Sequence, residues 1–463
     1  MLKKTASSDL IRDLKSTDAD IRRVTAEQIA DDNLTEEIVK LLSGMLCDSE
    51  KGVRDAVSYL LSYNGNKFIP KYVTPFISSD DITIRNLAGE ILLKIGEPAI
   101  NDILAYIDKG NDDDKKFLID ILGLIGSEKP IEKIIEILNA NRNHNVILSC
   151  IEAIGNIKYS GALGYLINLY SQDELFKPSV IEAMGKIASP NALEFILEKY
   201  KSEDELTRYS IIESLGAMGD ESTFFFLLNE LKSVNDYLIP SLISSLKNIK
   251  EKYNLDLPYE ESSKKALLKT LAHYDIGYKK DAAYLLTVFN DPEIIYSFIL
   301  TYGQDIEIDE IMRPKLMENS RLVFTKVPEI LEKNPSNLKH ILWLIKDLIE
   351  VDGGESLSLL TKLENRYLSD VISNFISDPD EEARRTAIEL IFVINQETAF
   401  LFLDTMLNDD NFWNRLRLLE ILESVFTPAA NGAIKKLAED PEEMIADKAN
   451  WILAQRGTTQ IKY

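Results

Sequence analysis

Apolar residues in this chain recur at the spacing of a helix. Ile147, Ile151, Ile154 and Ile157 fall at i, i+4, i+7 and i+10, which lines one face of an α-helix. Ser149, Glu152 and Asn156 lie on another face of the same segment. A polar break follows at Lys158-Tyr159-Ser160-Gly161. A second stripe, Leu163, Leu166, Ile167 and Tyr170, then runs to the break Ser171-Gln172-Asp173. This pattern predicts a pair of helices of about three turns each, joined by tight turns. Turns of the same kind stand at Gly96-Glu97-Pro98, Ser189-Pro190-Asn191, Gly219-Asp220-Glu221 and Asp378-Pro379-Asp380. Their Asp, Ser and Pro residues start helices, either by accepting from free N–H groups or by presetting φ. No run of two-residue alternation competes, so strands are not expected.

The pair repeats. Ile151-Glu152-Ala153-Ile154-Gly155 returns as Ile181-Glu182-Ala183-Met184-Gly185 and as Ile212-Glu213-Ser214-Leu215-Gly216. Aligned on the acidic position, the column reads Glu27, Tyr59, Glu90, Asp120, Glu152, Glu182, Glu213 and Ser244. It resumes at Glu389, Glu420 and Asn450. A fixed period of about thirty residues predicts an α-solenoid, in which no unit buries its apolar face alone. Five residues earlier stands a mostly basic column: Arg22, Arg54, Arg85, Lys115, Ile147, Lys177, Arg208 and Ile239, then Arg384, Arg415 and Ile445. Gly123, Gly155, Gly185 and Gly216 fall inside the second helix of their pairs. A mid-helix glycine costs about 1 kcal/mol against alanine. Its recurrence predicts a neighbouring helix too close for a Cβ.

Composition narrows the class. Hydrophobic residues are 45% of the 463, enough for a large core. No uninterrupted apolar run of about eighteen residues exists, and the start MLKKTASSDLIRDL lacks the apolar stretch of a secretory signal. A cytoplasmic protein is therefore expected, with Cys47 and Cys150 as buried free thiols. The net charge is −24, from 76 acidic and 52 basic side chains. That balance opposes nucleic acid and anionic membranes, which need Lys and Arg to release counterions.

The repeat resembles HEAT repeats, the short bacterial variety also seen in phycobilisome-lyase-like proteins. The resemblance is carried by Val53-Arg54-Asp55-Ala56, by Ile84-Arg85-Asn86-Leu87-Ala88-Gly89-Glu90, and by Glu381 through Glu389. Acidic turns precede them at Asp48-Ser49-Glu50, Asp80-Asp81 and Asp378-Pro379-Asp380. It implies regular repeats over 1–250 and 378–456, degenerate helical repeats or a small insertion over 251–377, and a flexible tail at 457–463. It also implies a structural ladder of turn Asp and second-helix Arg through Arg22, Arg54, Arg85, Lys115, Arg208, Arg384 and Arg415. Asp48, Asp80 and Asp378 would then stand opposite Arg54, Arg85 and Arg384. The second helices would line a concave side, bringing Glu90, Asp120, Glu152, Glu182 and Glu213 into one acidic row. Such a row is either a groove for a basic or amphipathic segment of another protein or a solvated helix face.

Chemistry is sparse. His144, His273 and His340 stand in no ligand-like spacing, and no phosphate loop or nucleophile elbow occurs. Asn111-Asp112-Asp113-Asp114 lacks the glycine and distal glutamate of a calcium loop and reads as a solvated helix start. Phe224-Phe225-Phe226, Trp343, Trp413 and Trp451 read as core residues or partner anchors, the last two also as end caps. No cofactor and no metal are expected. The reading is a non-enzymatic protein-binding scaffold or adaptor, of a kind that accompanies bacterial signalling systems. Two alternatives rest on fold analogy alone: a bilin lyase or isomerase, and an alkylpurine DNA glycosylase-like nucleic-acid binder.

Overall fold

Helix starts in this chain are set by short polar side chains. In a computed structural model, which describes residues 7–459, Asp18, Asp81, Asn143, Asp204 and Asp380 each accept from a backbone N–H two or three residues on. Each bond satisfies one of the four donors that a helix start leaves open. Between these caps the described residues fold as helices and turns, with no strand. The protein is all-α, built of stacked helix pairs.

The chain forms two compact units. The first runs through Asn229 and includes Asn248–Leu255; the second comprises Glu230–Lys247 and the chain from Asp256 onward. In the first unit the second helices of successive pairs are α1 (Ala19–Gln28), α2 (Lys51–Tyr63), α3 (Ile82–Ile95), α4 (Asp112–Ile125), α5 (His144–Ile157), α6 (Lys177–Ile187) and α7 (Glu205–Met218). Each packs on the next. The predicted stripe Ile147, Ile151, Ile154 and Ile157 is buried, and so are Leu166 and Tyr170 of the partner helix Leu163–Gln172.

Backbones meet directly along α4 to α7. A Cβ on Gly123 would lie 2.7 Å from the Cα of Ala153, and one on Gly155 2.8 Å from the Cα of Ala183. One on Gly185 would lie 2.7 Å from Ser214 Oγ. The glycines therefore sit where the next helix leaves no room, and the facing position admits only Ala or Ser. Ser214 also donates to the Ile181 carbonyl at 3.1 Å, stitching α7 to α6.

In the second unit the corresponding helices are α8 (Leu338–Asp352), α9 (Glu381–Ile394), α10 (Phe412–Glu423) and α11 (Glu443–Thr459). Residues 256–377 group with them and are mostly helical. Their period is harder to read because Pro314 and Pro328 lie inside helices Ile306–Glu318 and Ser320–Leu331. A proline there removes a backbone donor. Helix α8 ends at Asp352 on a pair of left-handed glycines, Gly353 and Gly354 (φ +63° and +80°). Helix α11 runs three residues into the expected tail, whose last four residues lie outside the described ones.

Two expectations, for Cys47 and Asp114, are corrected. Cys150 is buried, but Cys47 is exposed at the end of a short 3-10 turn, where the chain leaves the core. Asp114 is not solvated: it is 5% exposed and accepts from Ser78 Oγ at 2.7 Å and from the Asn111 N–H. Trp343, Trp413 and Trp451 are about half exposed, while Phe224 alone of its triplet is fully buried.

Candidate partner-binding site

The acidic row sits one residue before the small-residue contact. Because Gly123 faces Ala153, Gly155 faces Ala183 and Gly185 faces Ser214, the residues that precede those small positions hold matching places on successive helices. Glu152, Glu182 and Glu213 are exposed on α5, α6 and α7; Glu90 is exposed on α3 and Asp120 half-exposed on α4. Asp120 pairs with Lys116 at 2.8 Å and Glu182 with Lys186 at 2.8 Å, each one turn away on its own helix. Exposed pairs of this kind contribute only about 0.3–0.5 kcal/mol. Glu90 and Glu152 have no cation within ion-pair distance among the described residues. Of the serines beside the row, Ser149 is buried and Ser179 and Ser210 are half-buried.

The same column in the second unit is neutralised from several helices. Glu389 accepts from Lys346 and from Arg417, both at 2.6 Å, with its side chain 13% exposed. Arg417 also reaches Glu420 at 3.0 Å, and Lys448 reaches Glu420 at 3.3 Å. Between α9 and α10 lies a cleft of about 410 Å³, lined among others by Lys346, Glu389, Leu390, Phe392, Val393 and Arg417.

The basic column is turned to the frame of the molecule, one unit out of the expected register. Arg22 donates twice to Asp48, at 2.8 and 2.7 Å, and to the Ser16 carbonyl. Arg384 holds Asp409 (2.8 and 3.0 Å) and Arg415 holds Asp440 (2.8 and 2.9 Å) in the same bidentate way. Each arginine thus clasps the Asp of the following turn, not the preceding one. To its own turn it donates through carbonyls: Arg384 to Asp378 O, Arg415 to Asp409 O, Arg54 to Asp48 O and Arg85 to Ser79 O. The expected pairing of Asp48, Asp80 and Asp378 with Arg54, Arg85 and Arg384 is therefore corrected. A side chain projects towards the helix start, where its own turn offers carbonyls and the stacked neighbour offers the carboxylate. Arg208 likewise donates to Glu203 O, and Lys115 has no carboxylate within ion-pair distance among the described residues. The Arg22 guanidinium holds the Asp48 carboxyl below its ordinary value. Burial alone would raise Asp409 and Asp440, but the guanidiniums of Arg384 and Arg415 and backbone N–H groups bring both below it.

One feature escaped the reading of the column. Tyr59 occupies the acidic position on α2, and Tyr63 stands one turn on. Both are exposed, with ring centroids 4.9 Å apart. An i, i+4 aromatic pair on the exposed stripe was the available signal.

No group of three His, Cys, Asp or Glu side chains that could hold a metal occurs among the described residues. No described helix is long and apolar enough to cross a membrane.

No family model matches the sequence, and no curated protein matches it. Solved structures do. The chain is similar to yeast importin-beta (Kap95p), at 12% identity and a TM-score of 0.47 over 97% of this chain and 72% of that one. It is also similar to importin beta crystallised in ammonium sulfate, at 12% identity and 0.45 over 97% and 74%. A homology model of the AP-3 complex gives 13% and 0.33 over 98% and 96%. The fold stands on the helix pairs described above.

Proposed function

We propose that this chain is a protein-binding scaffold whose first unit holds a basic or amphipathic segment of another protein along the row Glu90, Asp120, Glu152, Glu182 and Glu213. The observation that carries the reading is the contrast between columns. In the second unit the acidic residues are neutralised by cations from neighbouring helices; in the first, Glu90 and Glu152 are exposed without one. Adjacent helices at about 10 Å would bring these charges to a basic chain as a series of weak contacts. The arginines that a nucleic-acid reading would need, Arg22, Arg54 and Arg85, are engaged with turn carbonyls.

The test is charge reversal of Glu152, Glu182 and Glu213 to lysine together, with a fluorescent oligolysine as probe. The expected result is unchanged helicity by circular dichroism and an affinity lower by about tenfold or more. Binding to the native chain should weaken as salt rises. Undiminished binding by the folded triple variant overturns the reading.

A further inference from the structure

We infer that the cleft between α1 and α2 is an arginine-selective pocket for a side chain of the partner segment, which rests on the acidic-row reading above. The cleft measures about 390 Å³ and is lined by Glu27, Asp31, Ala56, Tyr59, Leu60 and Tyr63, among others. It combines what a guanidinium needs. Tyr59 and Tyr63 are 70% and 65% exposed, and their rings lie 4.9 Å apart at 44°. Aromatic rings so exposed at the rim of a cleft offer π-faces that the core does not use. Two carboxylates stand beside them. Among the described residues, Glu27 is held only by an exposed pair with Arg23 at 3.3 Å, and Asp31 accepts from the side chain of Asn64. Tyr63 already draws one cation from outside the cleft: Lys94 of α3 places its Nζ 5.8 Å from the centre of the Tyr63 ring.

The chemistry favours arginine over lysine. A guanidinium is planar and weakly hydrated, so it stacks on an aromatic face while its N–H fork reaches a carboxylate. An ammonium is a strongly hydrated point charge and gains less from either partner. Tyr59 holds the same column position as Glu90 and Glu152, so a chain lying along the carboxylates would meet the tyrosines at one end. There a nonspecific electrostatic contact becomes a contact with a side-chain preference.

The experiment compares octa-arginine with octa-lysine, equal in length and charge, by fluorescence anisotropy on the full chain. The native protein should bind the arginine peptide about fivefold more tightly. Tyr59→Ala with Tyr63→Ala should remove that preference and leave the lysine peptide's affinity unchanged. Tyr59→Phe with Tyr63→Phe should retain the preference, since the π-face is what is used. Lys94→Ala, an exposed change that does not touch the core, should raise arginine-peptide affinity about twofold by freeing the Tyr63 face. Equal affinities in the native protein, or a preference that survives loss of both tyrosines, overturn the pocket and leave the acidic row standing. Failure of both peptides to bind the native protein overturns the row and the pocket together.

Discussion

Helices α4 to α7 and helices α9 to α11 solve one problem in two ways. Both sets stack second helices about thirty residues apart in sequence. In α4 to α7 the joint is backbone against backbone, with Gly123, Gly155 and Gly185 admitting Ala153, Ala183 and Ser214. In α9 to α11 the positions corresponding to Gly155 are Phe392, Glu423 and Leu453, and those corresponding to Ala153 are Leu390, Ile421 and Trp451. Leu390 and Phe392 are buried there, while Trp451 is 56% exposed. The joint passes instead to the buried clasps Arg384–Asp409 and Arg415–Asp440 and to the bridge Lys346–Glu389–Arg417. The two choices leave different surfaces. The cleft of about 410 Å³ is lined by Leu390, Phe392 and Ile421, the bulky residues that stand where the glycine joint has Ala and Gly. The basic column is mixed across the glycine joint: Ile147 takes the arginine place in α5, while Lys177 takes it in α6 and pairs with Glu203 of the following turn at 2.9 Å.

The largest effect is expected from breaking a clasp. Asp409 takes two bonds from Arg384 and one each from the N–H of Asn411 and the side chain of Asn414, which is fully buried. Asp409→Ala would leave the Arg384 guanidinium with only the exposed Asp410 and its turn carbonyls, a cost of about 3 kcal/mol. A repeat stack can open locally, so the measurement is hydrogen exchange across 381–423 beside that across 144–218. The first should accelerate and the second should not. Equal loss in both would end the claim that the two joints are independent.

Acid should act on the same clasps. The carboxyls of Asp409 and Asp440 sit below their ordinary value in the folded chain. The folded state then binds fewer protons than the unfolded one. Their contribution is complete above the ordinary value of about 4 and is lost as pH falls through it towards the depressed value. The glycine contacts carry no titrating group, and in α5 to α7 the lowered carboxyl is the exposed cap Asp204, held by the Thr207 N–H and hydroxyl. As pH falls below about 4, exchange should rise in α9 to α11 before it rises in α5 to α7.

Filling a glycine joint ranks next. Gly155→Leu would put a Cβ 2.8 Å from the Ala183 backbone, with more atoms behind it. The helices must part, at a cost of about 2–3 kcal/mol after the gain in helix propensity. The urea midpoint should fall, and the protection of α5 and α6 should fall with it.

Much of this was legible in the sequence, for reasons that differ by residue. The helix pairs followed from apolar spacing, since burial acts on every turn of a helix. The glycine joint was legible because a residue that costs helix stability recurred at one phase. The basic column was legible from the repeat, and three of its seven expected ladder members, Arg22, Arg384 and Arg415, make carboxylate clasps. The register of those clasps was not, because the spacing shows which residues repeat but not whether an arginine reaches back or forward by one unit. Asp114 was misread because an acidic run looks the same whether water or Ser78 satisfies it. Tyr59 was visible in the acidic column, but its cleft depends on α1 and Asp31, which come from another pair. The pairing of Glu389 with Lys346 spans forty-odd residues and an irregular stretch, so no fixed period announces it.

The smallest effect tests whether Ser214 is there for its bond or for its size. Ser214 is 6% exposed and donates to Ile181 O at 3.1 Å, across the closest part of the α6–α7 contact. That carbonyl already accepts from its own helix, so losing the serine would leave no buried group without a partner. The hydroxyl also crowds Gly185, and Ala fills the same place at 153 and 183. Alanine is the better helix former by a few tenths of a kcal/mol. Ser214→Ala should therefore leave the urea midpoint within about 0.5 kcal/mol of the native chain, with no change in exchange across 177–218. A loss of about 1.5 kcal/mol or more would mean that the hydroxyl bond holds α7 to α6. The joint would then belong with the clasps of the second unit, as a polar fastening, and not with steric fit between small residues.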